Sequence, residues 1–315
     1  MVKTILQPRE KATDPRVRAP MTRRECLRFF MGGWGLILTM PVFGAQAAVK
    51  TERRSTLDQF LGEELVFHIG YWLIPHCGTA RACFERTDLE GIYRTSLEGR
   101  AVGFIEALVG PICYRYESYA QYSEAEDRLR PVVFQLTKSR MDQQKRKRVT
   151  FDYSARQIIF SRTRSNGQTR IRREAMKKGN IYEDYLTLSY NFRHGYYGPL
   201  MRGRSYRLPV YIRKHMKSLK LQIVSAEEEK RYRRKESVKK DKDFFLQFHV
   251  DREDVSSASG EIEGWVSAEA VPIKGTVKDV ILVGDLRGEL IERRINDPNR
   301  IVAIPASVKK EIFRP

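Results

Sequence analysis

Alternation of apolar and polar residues is the feature that most constrains this chain. A period of two fits an extended backbone with one covered face and one wet face. From Glu64 to Ile74 it puts Leu65, Phe67, Ile69, Tyr71 and Leu73 on one side. It returns in Gly91–Ala101 and in Lys145–Tyr153, where Val149, Phe151 and Tyr153 alternate with Arg148, Thr150 and Asp152. Further extended runs read from Cys77, Cys113, Pro131, Tyr206, Leu219, Phe244, Glu261 and Val271. Asn166-Gly167 separates Gln157–Arg164 from Gln168–Arg173 and is a two-residue hairpin signal. Strands with charged outer faces predict a mainly β chain: one curled antiparallel sheet, a barrel or half-barrel.

One stretch, Tyr182 to Val210, breaks that period. Tyr182, Leu186, Ser189, Tyr190 and Arg193 recur at helical spacing, with Leu188 and Phe192 as a flanking apolar row, so a helix is predicted over about residues 183–194. Glu183 and Asp184 at its start and Arg193 and His194 at its end suit the helix dipole, and Gly195 suits a C-cap. Lying between two runs of strands, this helix is placed to plug or cap the mouth of the curled sheet. Glu227 to Lys240 is dense in charge and reads as a solvated loop or hairpin tip. The tail from Asn296 is thinly periodic and is expected to dock loosely.

The N-terminus reads as an address. Arg23-Arg24 is followed by Leu27 and Arg28, an apolar run from Phe29 to Met40, and Ala45-Gln46-Ala47. That order resembles a twin-arginine signal peptide, with Cys26 where Phe is usual. The run is about a dozen residues, short for a bilayer span. The expected division is a signal peptide over 1–47, a linker over 48–60, a β-barrel-like domain over 61–292 and a tail over 293–315. The expected location is the periplasm, with the twin-arginine translocase and signal peptidase as partners and cleavage near Ala47; the competing reading is an uncleaved anchor. Cleavage would leave Cys77, Cys83 and Cys113, an odd number. Cys113 could bridge one of the others, but three small core thiols is the preferred reading.

The order of segments from about Leu61 to Leu290 resembles the domain-of-unknown-function family 3108, a group of exported bacterial proteins. The residues that carry the likeness are Gly62-Glu63-Glu64-Leu65 with Gly78-Thr79-Ala80, then Asp184, Leu186 and Tyr190-Asn191-Phe192-Arg193. Gly203-Arg204-Ser205-Tyr206, Trp265-Val266-Ser267 and Gly284 to Leu290 continue it. Glu269-Ala270-Val271 departs from the family pattern. The resemblance implies an exported, antiparallel, barrel-like domain and supplies no catalytic residues.

The chain carries 58 Lys and Arg against 39 Asp and Glu, a formal charge of +19. An excess of that size favours anionic partners. For an exported chain these are lipid headgroups and other envelope polyanions, not nucleic acid. Lys145-Arg146-Lys147-Arg148 is the candidate anion-contacting run, against the plainer reading of a solvated charged face. The aromatics Phe67, Tyr71, Tyr114, Tyr116, Phe151, Tyr190 and Phe192 are the candidate lining of a concave face, against a filled core. His68, His76, Cys77 and Cys83 do not converge as zinc ligands on a hairpin. Arg193-His194-Gly195 opens like a histidine-phosphatase motif, but Tyr197 stands where a second Arg is needed. No phosphate loop, G-x-S-x-G or H-E-x-x-H is present. The expected function is therefore non-enzymatic, with no metal and no cofactor: binding of an apolar or amphiphilic anionic ligand, or assistance in envelope assembly. The alternatives are an interaction module with a filled core and an envelope enzyme acting on glycans or lipids.

Overall fold

The computed structural model describes residues 56–313 apart from 72–73, 213–214, 237–242, 251, 253–256, 270 and 281–283. The signal residues Arg23, Arg24, Ala45 and Ala47, most of the linker and Leu73 lie outside the described residues. After a short 3-10 helix, Thr56–Phe60, come β1 (Glu63–Tyr71), β2 (Ile74–Thr87), β3 (Ile92–Ala101), α1 (Gly103–Val109), β4 (Ile112–Ser123), β5 (Arg128–Arg140), β6 (Gln143–Asp152), β7 (Gln157–Thr163) and β8 (Thr169–Ala175). The helix α2 (Tyr185–His194) follows, then β9 (Ser205–Ile212), β10 (His215–Ile223), α3 (Ala226–Glu236), β11 (Phe244–His249), β12 (Glu261–Val266), β13 (Pro272–Val280), β14 (Gly284–Ile295), β15 (Ile301–Val302) and α4 (Ala306–Ile312).

The strands form one sheet of order β8-β7-β6-β5-β4-β3-β2-β1-β14-β13-β12-β11-β10-β9, antiparallel throughout except that β15 pairs in parallel with the end of β2. The sheet is open, since β8 and β9 are its edges. It is nevertheless curled. Phe151 of β6 and Tyr211 of β9 meet edge to face with ring centres 6.0 Å apart, and Tyr211 donates a hydrogen bond to Glu174 of β8 at 3.3 Å. Side chains, with Met176 and Tyr182 between them, bridge the gap that the backbone ladder leaves.

The concave side is filled. Phe67, Tyr116, Phe192, Leu208, Val277 and Leu286 belong to one buried cluster drawn from both halves of the sheet and from α2. The helix closes one end of the curl. Its N-terminal Asp184 bonds Ser118 of β4, its middle bonds the start of β5, and its last turn pairs with Glu63 at the start of β1.

Two expectations need correction. The charged run from Glu227 is helical as far as Glu236, not a loop, and its last residues, 237–240, lie outside the described residues. Ser225 and Glu228 form a reciprocal cap, the Glu228 amide donating to Ser225 Oγ at 3.2 Å and the Ser225 amide to the Glu228 carboxylate at 3.1 Å. Tyr232 then stacks on Phe245 at 3.9 Å and anchors α3 to the outer face of the sheet. The tail does not dock loosely, because Ile304 and Val308 are buried against Ile92, Tyr119 and Val133 on the convex face. The predicted central helix forms as Tyr185–His194, and every residue from Leu186 to Arg193 is buried.

Candidate functional site

At the end of the sheet away from α2, the concave face of β4–β7 changes character. Neighbouring strands place Tyr114 beside Lys138 and Lys138 beside Lys145. Two residues further along, Tyr116, Leu136, Lys147 and Arg162 form the next row. Residues two apart on a strand share a face, so a wall that begins as aromatic core ends as a basic rim. These rows and the β7–β8 turn enclose an open-sided cavity of about 520 Å³. Tyr114 and Leu136 contribute its apolar lining, while Lys138, Lys145, Arg146, Lys147, Arg162 and Arg164 supply positive charge; no carboxylate lines it.

Two groups in this cavity are far from their ordinary solution state. The Tyr114 hydroxyl is buried, and no group among the described residues bonds it. Tyr114 is only 2% exposed, and a buried unbonded hydroxyl is costly. Burial raises its pKa, so it stays a neutral donor. Above the ring, at 5.0 Å, sits the Lys138 ammonium. Burial pushes Lys138 down to about 8, and the neighbouring Lys145, Arg140 and Lys147 push the same way. An anionic group placed here would accept from Tyr114 and relieve the repulsion among these cations. An attached apolar chain would lie on Tyr114 and Leu136.

The candidate residues separate along these lines. Tyr114, Lys145, Arg146 and Lys147 come together at the cavity. Arg148 does not join them. It bonds Gln135, the Ser307 carbonyl and Ser307 Oγ on the convex side, under the tail. The other candidate aromatics do not line this cavity. Phe67, Tyr116 and Phe192 fill the main core, with Tyr71 packed against it; Phe151 lies in the seam beside β9; Tyr190 packs with Phe60 and Phe84 under α2. Lys138, Arg162 and Arg164 were missed. The register aligning Tyr114 with Lys138 and Lys145 would have found the first, but it depends on turn lengths that hydrophobic spacing alone leaves loose.

The second polar concentration surrounds α2. Asp184 caps the helix, accepting from the Leu186 amide at 2.7 Å, the Thr187 amide at 3.0 Å and Ser118 Oγ at 2.6 Å. Arg193 makes a buried two-pronged pair with Glu63, at 2.5 and 2.7 Å. It therefore does more than balance the helix dipole. Glu183 accepts from Asn191 Nδ2 at 2.9 and 3.0 Å and from the Tyr197 hydroxyl at 3.1 Å. Apart from Arg193 Nε, these groups bond one another, as buried structural polar groups must, and the cavity beside Glu63 holds only about 10 Å³. Among the described residues no three His, Cys, Asp or Glu side chains gather as metal ligands, although His68 and His76 stack at 4.1 Å. Cys77, Cys83 and Cys113 are free thiols, with no disulfide between them.

Comparison with known proteins adds the following. The family model described as "Protein of unknown function (DUF3108)" matches residues 68–291. No curated protein matches the chain. Among solved structures, the chain is similar to a β-barrel-like protein of domain of unknown function DUF1849 from Brucella abortus. The two share 11% identity with a TM-score of 0.40, over 76% of this chain and 99% of that one.

Proposed function

The chain belongs to the family of proteins of unknown function DUF3108, and on that premise we propose that it is an exported, non-enzymatic periplasmic protein that holds an amphiphilic anionic ligand in the basic cavity. One observation carries this reading: the buried, unbonded Tyr114 hydroxyl beneath a rim of lysines and arginines. A cavity of about 520 Å³ falls within the usual range for small-molecule sites, roughly 300–1,000 Å³. The interior of the curl is packed, so the ligand is assigned to the open end and not to the concave core. That packed interior favours a second reading, an interaction module whose basic residues meet an acidic partner protein.

The test is native mass spectrometry of the chain recovered from the periplasm, with titration of the mature chain, residues 48–315, by dodecyl phosphate below its micelle concentration. We expect a stoichiometric anionic amphiphile. Charge reversal by Lys145→Glu with Lys147→Glu should weaken dodecyl phosphate binding at least about tenfold, since each rim charge facing an anion contributes on the order of 1 kcal/mol. Affinity should fall as pH rises through about 8, where Lys138 loses its proton. No co-purifying amphiphile together with no dodecyl phosphate binding would sink the reading and favour the interaction module.

A further inference from the structure

Exposed apolar side chains gather at the same open end. Phe104 and Leu108 stand four apart on α1 and so share one face, at 67% and 50% exposure. Ile105, at 4%, holds the other side of the helix in the core. The short helix is thus anchored by Ile105 and turns Phe104 and Leu108 to solvent. Met141, 67% exposed in the β5–β6 turn, adjoins the C-terminal end of α1: a Cβ on Gly110, which caps the helix, would stand 2.9 Å from its Cε. Single exposed apolar residues are ordinary, whereas a group beside a charged rim marks an interaction surface. Lys138 lies three positions before Met141 on the same strand and turn, and opposite β4. Glu106 and Asp142 are the acidic residues within α1 and this turn.

We propose that this end of the sheet docks on an anionic bilayer. Phe104, Leu108 and Met141 enter the boundary between headgroups and acyl chains, and the basic rim rests on the headgroups. The cavity mouth then faces the bilayer, so an amphiphile passes between membrane and Tyr114 without crossing water. The proposal rests on the reading of the cavity as an amphiphile site. Charge decides the occupant. Apolar residues flanked by Lys and Arg are what an anionic interface attracts, whereas a second copy of the chain would bring the same positive rim against itself.

The test is co-sedimentation of residues 48–315, which keep every described element, with vesicles of phosphatidylglycerol and phosphatidylcholine. The variant carries Phe104→Ser, Leu108→Ser and Met141→Ser, three exposed positions, with circular dichroism as the check on folding. Vesicle binding should fall at least about tenfold in the variant, while its affinity for dodecyl phosphate stays that of the parent. The parent should bind pure phosphatidylcholine far more weakly and lose vesicle binding as salt rises. Equal vesicle binding by parent and variant overturns docking. So does a parent that takes up dodecyl phosphate but ignores phosphatidylglycerol vesicles, or one that dimerises through these residues instead. Vesicle binding that needs the three residues, with no dodecyl phosphate uptake, leaves docking standing and removes the cavity reading alone.

Discussion

Glu183 is fully buried between α2 and β5, 3.4 Å from Arg128, and accepts from Asn191 and Tyr197. Loss of water outweighs these donors and pushes its carboxyl from 4.5 up to about 8. The sign of the pH dependence follows. Between those values the folded chain holds a proton that the unfolded chain has released, so stability is fully present below about 4.5 and declines as pH rises toward 8. A shift of that size is worth on the order of 5 kcal/mol at most. Glu183→Gln should therefore flatten the decline of the thermal midpoint between pH 5 and pH 8. A variant with the parent's slope would show that Glu183 is ionised in the fold. Arg193 and Glu63 are different: their geometry is bidentate, and Arg293 Nε adds a contact to Glu63 at 3.1 Å.

Two helices show how little of an element's setting its composition reveals. At the start of α2, Asp184 and Thr187 complete a capping box, and at its end Gly195 takes φ +109 while its amide bonds Asn191 and Phe192 carbonyls. That φ suits glycine, since a side chain there would meet its own backbone. Asp184→Ala should cost at least about 1–2 kcal/mol in chemical denaturation, the usual worth of an N-cap, and more because Ser118 loses its acceptor. A smaller loss would mean that tertiary packing alone sets where α2 begins. In α3 the cap Ser225-Ala226-Glu227-Glu228 was plain in the chain but hidden inside a charge-rich run. Glu229, bonded by Arg202 and Arg233, turns that run into a docked element.

Across the whole molecule the sheet is a curl closed at one end by α2, sealed along its edges by side chains, and open at the basic cavity. Export would deliver this form intact, because twin-arginine transport carries folded chains. The proposed address has a direct check. Replacing Arg23 and Arg24 with Lys should leave the precursor in the cytoplasm, read by fractionation and by its unshortened length. Unchanged export would remove the twin-arginine assignment and leave the folded domain as described.

The sequence by itself determined the strands, the hairpins and the place of the central helix, because apolar spacing is a local record of which backbone lies against a core. The alternation around Phe67 and Phe151 and the glycine at 195 could be read without any partner. Tertiary structure alone decided which charged residues share a face with which aromatics. Lys145 and Arg148 are equivalent in a basic run, yet one rims the cavity and the other lies under the tail. Strand parity and the register across β4, β5 and β6 separate them, and register is fixed by contacts between segments far apart in the chain. The burial of Glu63, Glu183 and Arg193 had no local signal either, since a buried charge depends on a partner that only the fold supplies.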